Sequence, residues 1–554
     1  MNTTSTTTSI NTSTTAASTT AAPLTTGRPY RKHEGVQGHF DTIVVGSGMG
    51  GMALAVYLAQ DGQKVLLLEQ NNTVGGMTQA YSRNGYRWTV GMHYIGEVGN
   101  PNGAGWKLFN RVTGGRLRWA PLPSIFNRMV IGGRGYDVPA GPQAYADFLT
   151  SHFPAEAQAI QTYMALVGSV AKSSAPFFGA KAMPPAAGQA LMQRHGQDFQ
   201  HFASQTTQQA LRSLTRNDEL IAVICANWGD YSLEPSQSSF AMHCMLAKHY
   251  LHGAHYPEGG GTAFAQAMVP IIEAAGGQVL HSAEVAEILV QADAVQGVRL
   301  ASGEVLRCAR VVSNAGVQNT FGRLLQGASP GVQAAKALLP KVQDTYAIVG
   351  LNIGFKASHT ELGFTPANIW SHPGPDFEAN LVAHRQDFDA PFPWHFITFP
   401  STKDPLWDRD FSGRATVEMY AYTDYSHFAR WAGTPWMKRG DDYLARKAVI
   451  RQRLLDALFR HAPAAAQHID HVEVSTPLSY ETFAKRERGG FMGVASSPQR
   501  FEQDWLRPAT TVQGLYLTGQ DVATDGVIGA LVGATLCASV ILQRDLMTEI
   551  RGGA

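Results

Sequence analysis

Charge is scarce in this sequence: 16% of its 554 residues are Asp, Glu, Lys or Arg, against about 25% in ordinary soluble chains. The formal net charge is +1, which leaves no broad basic face and excludes nucleic acid as an expected partner. Cysteine is scarcer still, at four. Cys225, Cys244, Cys308 and Cys537 stand far apart and form no CxxC or Cys/His cluster, so neither a disulfide framework nor a zinc site is expected. His249, His252 and His255 repeat at a spacing of three, but no carboxylate stands at ligand spacing and glycines surround them, so no metal is expected there either. No apolar run reaches the ~20 residues of a membrane-spanning helix. Val527 to Leu542 comes nearest and reads as a buried core helix. The first 26 residues, mostly Thr, Ser, Ala and Asn, lack the charged and apolar regions of a secretory signal. With the residues up to 36 they read as a disordered tail, and the expected location is cytoplasmic, or peripheral at a membrane through an apolar patch.

What the sequence does have is glycine in a telling place. Gly46 to Gly51 read GSGMGG, preceded by the apolar run Thr42 to Val45 and followed by the helix-like stretch from Met52 to Leu58. A second apolar run, Val65 to Leu68, stops on Glu69. Strand, glycine turn, helix and acid-terminated strand make a dinucleotide cradle. Gly46 permits the tight turn, Gly48 lets backbone amides approach a diphosphate, Gly51 lets helix and strand pack closely, and Glu69 can accept from a ribose hydroxyl. Nicotinamide and flavin dinucleotides both suit this pattern. Gly75 and Gly76 just beyond the acid, and the distant run Leu515 to Asp521, favour a buried FAD, which needs a polar group at its ribityl chain and a helix start near Gly526 at the pyrimidine edge. Asp521 is either that polar group or a helix N-cap. No second GxGxxG lies in a strand and helix context, so no separate nicotinamide domain is expected.

At this length two or more domains are expected. From about Tyr145 to Leu251 the pattern is helical and reads as an inserted cap. Glu284 to Val290, Ala294 to Leu300 and Glu304 to Val312 read as strands of one meander, and residues 340 to 425 alternate strand-like and turn-like runs rich in aromatics. Tyr443 to His461 reads as a charged helix, and the chain ends as strand, glycine turn and helix from Gly514 to Leu546. The expected architecture is α/β. A discontinuous Rossmann-type FAD-binding domain takes residues 37–115, 256–330 and 505–554. A mixed-sheet substrate domain with a helical cap takes 116–255 and 331–504.

Six segments, in order, carry a resemblance: GSGMGGMALAVYLAQDGQKVLLLEQ, GGMTQAYSRNGYRWTVGMHYIG, AHYPEGGGTAFA, VVSNAG, ITFPSTKDP and LYLTGQDVATDGVIGAL. Together they resemble the FAD-dependent phytoene desaturase, carotenoid isomerase and retinol saturase family, nearest to its saturase branch, from about Phe40 to Leu546. The resemblance implies an amine-oxidase-like arrangement, one non-covalent FAD, and a lipophilic substrate with conjugated double bonds. It places Gly46, Gly48, Gly50 and Gly51 at the diphosphate, Glu69 at the adenosine ribose, and Gly75, Gly76 and Met77 beside the flavin. Val285 would meet adenine through its backbone, and Gly519, Asp521, Gly526, Val527 and Ile528 would hold the ribityl chain and ring. The pattern departs at Asp525, where the family's animal saturases carry an uncharged residue. A carboxylate there would disfavour an anionic reduced flavin or relay a proton.

Shifting or reducing a C=C bond by hydride transfer needs a proton at the neighbouring carbon, and histidine suits that task near neutral pH. His93 is the leading candidate, with Tyr94 and Asp525 behind it. The other reading of His93 is a packing or loop-bonding role. Trp370, Trp394, Phe396, Phe399 and Trp407 are candidates for a polyene tunnel, or ordinary core. Electrons are expected to pass to or from oxygen, a quinone or a diffusible reductant. The open alternatives are a carotenoid desaturase or isomerase, an oxidase or desaturase of an unsaturated acyl or polyketide substrate, and a flavin-bearing lipid-binding protein.

Overall fold

A computed structural model describes residues 26–552; most of the expected tail, residues 1–25, lies outside them. The apolar runs flanking the glycine turn form parallel neighbours, Thr42–Val45 beside Val65–Leu68. They sit at the centre of a six-stranded parallel sheet. On one side Gln278–His281 follows and Arg28–Pro29 makes the edge; on the other come Val311–Ser313 and Leu515–Leu517. Both faces of such a sheet are covered, which is why its strands are continuous apolar runs instead of alternating ones. Two expectations change here. Val311–Ser313 leaves the meander and joins the parallel sheet, so only Val285–Gln291, Ala294–Leu300 and Val305–Arg307 pair as a three-stranded antiparallel unit. Arg28–Pro29, inside the expected tail, is a sheet edge, and Tyr30 donates to Glu304 at 2.6 Å to hold it.

Helix Met49–Gln60 is buried along nearly its whole circumference. A helix apolar on every side belongs inside, and the covering partner is Gly526–Leu542, the run that came nearest to a membrane span. Tyr57 and Thr535 join the two by a 3.0 Å hydroxyl contact. Among the described residues no single helix is long and apolar enough to cross a membrane.

A second sheet of seven strands runs in the order Ile469–Ser475, Ala347–Phe355, Ala415–Thr423, His395–Thr398, Asn368–His372, Ile125–Ile131 and Arg134–Pro139. All its pairings are antiparallel except Asn368–His372 with Ile125–Ile131. Helices between Pro142 and Tyr250 pack over one part of it, their core built from Tyr163, Phe199, Trp228 and Phe240 together with Trp370 and Phe396 from the strands and Trp394 just before one.

Candidate active site

The turn after the first strand is held by close backbone packing. Gly46 has φ +94°, a left-handed conformation that favours glycine. A Cβ on Gly51 would lie 2.0 Å from the Gly46 carbonyl oxygen, so only glycine lets the helix start there. A Cβ on Gly50 would meet the Gly519 Cα at 2.5 Å and the Asn314 side chain at 2.6 Å. Thus the first glycine turn, the VVSNAG turn and the LTGQD turn meet around Asn314, a residue the sequence reading did not single out. Helix Met49–Gln60 has no side-chain N-cap, which leaves first-turn amides available to an anion. Gly48, Met49 and Gly50 line a cavity of about 1670 Å³.

Glu69 is buried and fully engaged within the chain. Its carboxylate accepts from Ser47 N at 3.0 Å, Ser47 Oγ at 2.6 Å, Asn71 N at 2.8 Å and Asn71 Nδ2 at 3.1 Å. Four acceptor sites are about all a carboxylate has, so a ribose hydroxyl would have to take the place of one of them. Asp521 is no cap of the helix that follows it. It accepts from Val317 N at 2.8 Å and Val494 N at 3.2 Å, tying two loops together on the cavity wall. Gly76, Met77, Val285, Thr518, Gly526 and Val527 line the same cavity. Gly75 and Gly519 act behind that wall: Gly75 N donates to Ser47 Oγ, and Gly519 packs on Asn314. The buried Thr518 hydroxyl and the buried Arg486 Nη1 have no hydrogen-bond partner among the described residues. These orphaned polar groups, with the uncapped helix, fit a phosphorylated dinucleotide.

Beyond the glycines the cavity continues between Ile348, Trp370, Trp394, Phe396, Tyr420 and Phe491. Phe399 and Trp407 are not part of this wall: Phe399 packs on Phe364 and Trp407 on Phe411. At its mouth stand the exposed side chains of Trp436, Met437, Leu444 and Phe483. A second cavity, of about 1380 Å³, runs along the whole of helix Gly526–Leu542 and includes Ile528 and Asp525. The two share Gly91, His93, Asp230, Met492, Gly526 and Val527, so they adjoin at one place.

His93 stands at that junction. Its Nδ1 lies 2.9 Å from Oε2 of Glu418, a carboxylate with no exposed surface. Nδ1 has no aligned hydrogen-bond partner, so the contact is an ion-pair approach that becomes strong when the ring is protonated. Glu418 is fixed in turn by Thr89, whose N and Oγ1 donate at 2.7 and 3.0–3.1 Å. Phe396 and Tyr420 flank the imidazole at 5.3 and 5.0 Å. The His93 carbonyl accepts from Lys403 Nζ at 3.2 Å; Lys403 also donates to Thr398 Oγ1 at 2.6 Å and to the Asn368 side-chain carbonyl. Burial pushes the Lys403 ammonium down to about 7, against the pull of Glu418.

Tyr94 donates to Asp230 Oδ2 at 2.9 Å and stacks on Tyr250 at 4.4 Å. Burial raises the Tyr94 phenol well above its ordinary value and lifts Asp230 to about 7, with the Tyr94 hydrogen bond opposing the lift on Asp230. Asp525 is bound up in a buried ion pair: Oδ1 accepts from Arg500 Nη1 at 2.9 Å and Oδ2 from Ser496 Oγ at 2.7 Å. Burial raises its carboxyl and Arg500 opposes the rise. Glu418, Asp230, Lys403 and Arg500 escaped the sequence reading; only Lys403 lay inside a quoted motif, ITFPSTKDP. The three histidines separate in role, with His249 Nε2 accepting from Gly96 N at 2.8 Å and His255 pairing with Ile95 across a β-bridge.

A parallel glycine-turn sheet, a mixed sheet and an internal cavity joining them define a flavoprotein oxidoreductase. Residues 44–112 match the family described as NAD(P)-binding Rossmann-like domain. Cyclohexylamine oxidase from Brevibacterium oxydans shares the fold at TM-score 0.59, with 16% identity over 93% of this chain and 100% of that one. The all-trans-retinol 13,14-reductase of Danio rerio is 33% identical over 529 residues, 92% of this chain and 87% of its own. The prolycopene isomerase of Arabidopsis thaliana is 24% identical, covering 92% and 83%. The chain belongs to the retinol saturase, carotenoid isomerase and phytoene desaturase family of oxidoreductases.

Proposed function

We propose that this protein is an FAD-dependent oxidoreductase acting on a carbon–carbon double bond of a lipophilic polyene, retinoid-like or carotenoid-like, in the manner of a saturase. The observation that carries this reading is the continuity of one cavity from the glycine cradle to an aromatic wall, with His93 against that wall. Gly46, Gly48, Gly50 and Gly51 would receive the diphosphate, and Met77, Gly526 and Val527 the flavin end. Bound there, FAD supplies hydride exchange at N5 with an olefinic or allylic carbon.

The chain's own residues do the rest. Trp370, Trp394, Phe396 and Tyr420 grip the polyene by dispersion and stacking and exclude water. His93 gives a proton to the carbon next to the one that receives hydride, so the double bond gains one hydride and one proton. Glu418, 2.9 Å from Nδ1, orients the ring. The Nε2 atom, which has no protein partner among the described residues, is the atom available to the substrate. Tyr94 and Asp525 are committed to Asp230 and Arg500 and serve to shape the junction. In this direction a diffusible reductant must return two electrons to the flavin; a quinone or oxygen would serve only the reverse, desaturating direction, as acceptor. The apolar rim of Trp436, Met437, Leu444 and Phe483 suits peripheral contact with a membrane from which such a substrate enters.

Two measurements test the reading. The flavin, reduced anaerobically, is to be reoxidised by an unsaturated polyene alcohol, with the saturated product identified by mass spectrometry. The His93→Ala protein is to keep its flavin and lose about 10²- to 10⁴-fold in turnover, the usual worth of a positioned proton donor. A flavin indifferent to every polyene while lipid binds tightly would leave a lipid-binding protein in place of an enzyme.

A further inference from the structure

Arg486 is a cation whose setting is unfinished. It follows helix Pro477–Ala484 in a loop that turns through Lys485 and Arg488, both at φ +53°, and through the glycines 489, 490 and 493. Its guanidinium is inserted between the turn at Gly316 and Gly493 of its own loop. A Cβ on Gly316 would lie 2.6 Å from Arg486 Nη1 and 2.9 Å from Nη2, and a Cβ on Gly493 would lie 3.3 Å from Nη1. Both glycines have positive φ, +84° and +101°. Two bare turns thus leave a slot for the fork, yet its Nη1 is buried with no hydrogen-bond partner among the described residues. A buried, charged donor left unpaired is unfavourable unless an anion completes it.

Among the described residues no carboxylate pairs with Arg486. Asp521, beside the slot, is turned to Val317 N and Val494 N. Asp344, raised to about 6 by burial with Arg486 opposing, has a buried Oδ1 that is itself without a partner. The cavity that Arg486 lines is the one bounded by Gly46, Gly48, Asn314, Ala315 and Gly316. Its other fixed charges near the glycines, Glu69 and Asp521, are negative and would repel a diphosphate. Arg323 is positive but occupied, donating to Asn319 at 3.3 Å and paired with Glu284 at 3.5 Å.

We propose that Arg486 is the anchor that neutralises the dinucleotide's diphosphate, reaching it from the loop that follows helix Pro477–Ala484, beside Gly316. This rests on the FAD reading above and adds to it a residue outside the glycine motif. A guanidinium fork matches two phosphate oxygens, and the two together complete the buried donor. The anchor also joins two parts of the molecule. The loop behind Arg486 carries Phe491 and Met492 to the cavity, so occupancy of the cradle orders the wall at which the flavin and substrate meet.

The test is equilibrium binding to full-length protein freed of flavin, using FAD and ADP-ribose as probes, at low and high salt. ADP-ribose carries the diphosphate without the flavin. Arg486→Gln is expected to weaken both probes by about 10- to 100-fold, the usual worth of charge-assisted hydrogen bonds, and to flatten the salt dependence. Arg486→Lys keeps the charge without the fork, so it should restore the salt dependence and part of the affinity. Protection of residues 485–495 from amide exchange should rise on FAD binding in the wild type and much less in Arg486→Gln. Equal binding of both probes by wild type and Arg486→Gln overturns the role of Arg486, as does a loss confined to FAD. A wild type that binds neither probe overturns the FAD reading and the anchor with it.

Discussion

Replacing Asp230 by asparagine should change the pH dependence of stability in a direction and size fixed by the structure. The wild-type carboxyl sits at the cavity junction, raised from 3.8 to about 7 chiefly by burial. The fold therefore prefers its protonated form. Its contribution to stability is complete below about pH 4, where the unfolded chain is also protonated, and is lost as pH rises through about 7. Three pKa units at ~1.36 kcal/mol each give a full penalty of about 4 kcal/mol, of which roughly 3 falls between pH 5 and pH 8. Although deep in the chain, the side chain keeps some surface on the cavity wall, so water entering the cavity screens it and this figure is an upper bound. Asparagine has nearly the same shape and still accepts from Tyr94, but carries no titration. For 554 residues the unfolding entropy is about 1.2 kcal/mol/K, so Asp230→Asn should gain roughly 2–3 °C in melting temperature over wild type on going from pH 5 to pH 8. A smaller cooperative unit would show a larger shift. The assay is a calorimetric melt of both proteins at both pH values, reading the double difference so that other titrating groups cancel. A variant offset that is the same at pH 5 and pH 8 would refute the burial argument.

Lys403→Met should show the opposite sign in the same assay. The ammonium is depressed from 10.5 to about 7, so wild type loses stability as pH falls through 7, and the variant should gain on it between pH 8 and pH 6; an offset independent of pH would count against a depressed lysine. Its absolute stability should fall at alkaline pH, because Asn368, Thr398 and the His93 carbonyl lose their donor, at about 1–3 kcal/mol per stranded buried group. Gly51→Ala places a methyl carbon 2.0 Å from the Gly46 oxygen, which forces the helix off the turn. Purified protein should be colourless, with stability reduced by about 1–3 kcal/mol or more, and a yellow variant of full flavin content would show that the turn adapts. Glu418→Gln should retain flavin but lower turnover like His93→Ala, since a neutral amide cannot support a protonated imidazole; unchanged turnover would separate His93 from its supposed partner.

The fold was more legible than the site, and the reason is the range over which each is encoded. Strand, glycine turn and helix from Thr42 to Gln60 follow from local periodicity and from steric rules that act within a few residues. Even there one pairing escaped: Val311–Ser313 looks like the last strand of a local meander, and only its continuous burial beside Thr42–Val45 sends it to the parallel sheet. The site is built from side chains that meet across the whole chain. Thr89 and Glu418 are 329 positions apart and His93 and Lys403 are 310 apart; nothing local at Glu418, in the strand-like run ATVEMYAYT, marks its one carboxylate as buried. Asp230 likewise reads as a turn residue until the aromatic packing around it removes water. Arg486 sits in the charged run KRERGG, where a solvated surface is the natural expectation.

The order of strands in the six-stranded sheet has a consequence for how the molecule is made. The cradle's first strand ends at Val45, but the edge strand Leu515–Leu517 and the helix that covers Met49–Gln60 come some 470 positions later. At 5–20 residues per second, a ribosome needs roughly 25 to 90 seconds to travel between them. For that interval a helix apolar on all sides lacks its main cover, with Thr262–Ala274 reaching one flank once it is made, and the turn around Asn314 lacks the Gly519 that closes it. The half of the molecule that begins first is therefore finished last. Truncation behind Gly514 leaves that first half with one flank open, and a cell making this protein must shield that apolar helix until the last strand and helix arrive.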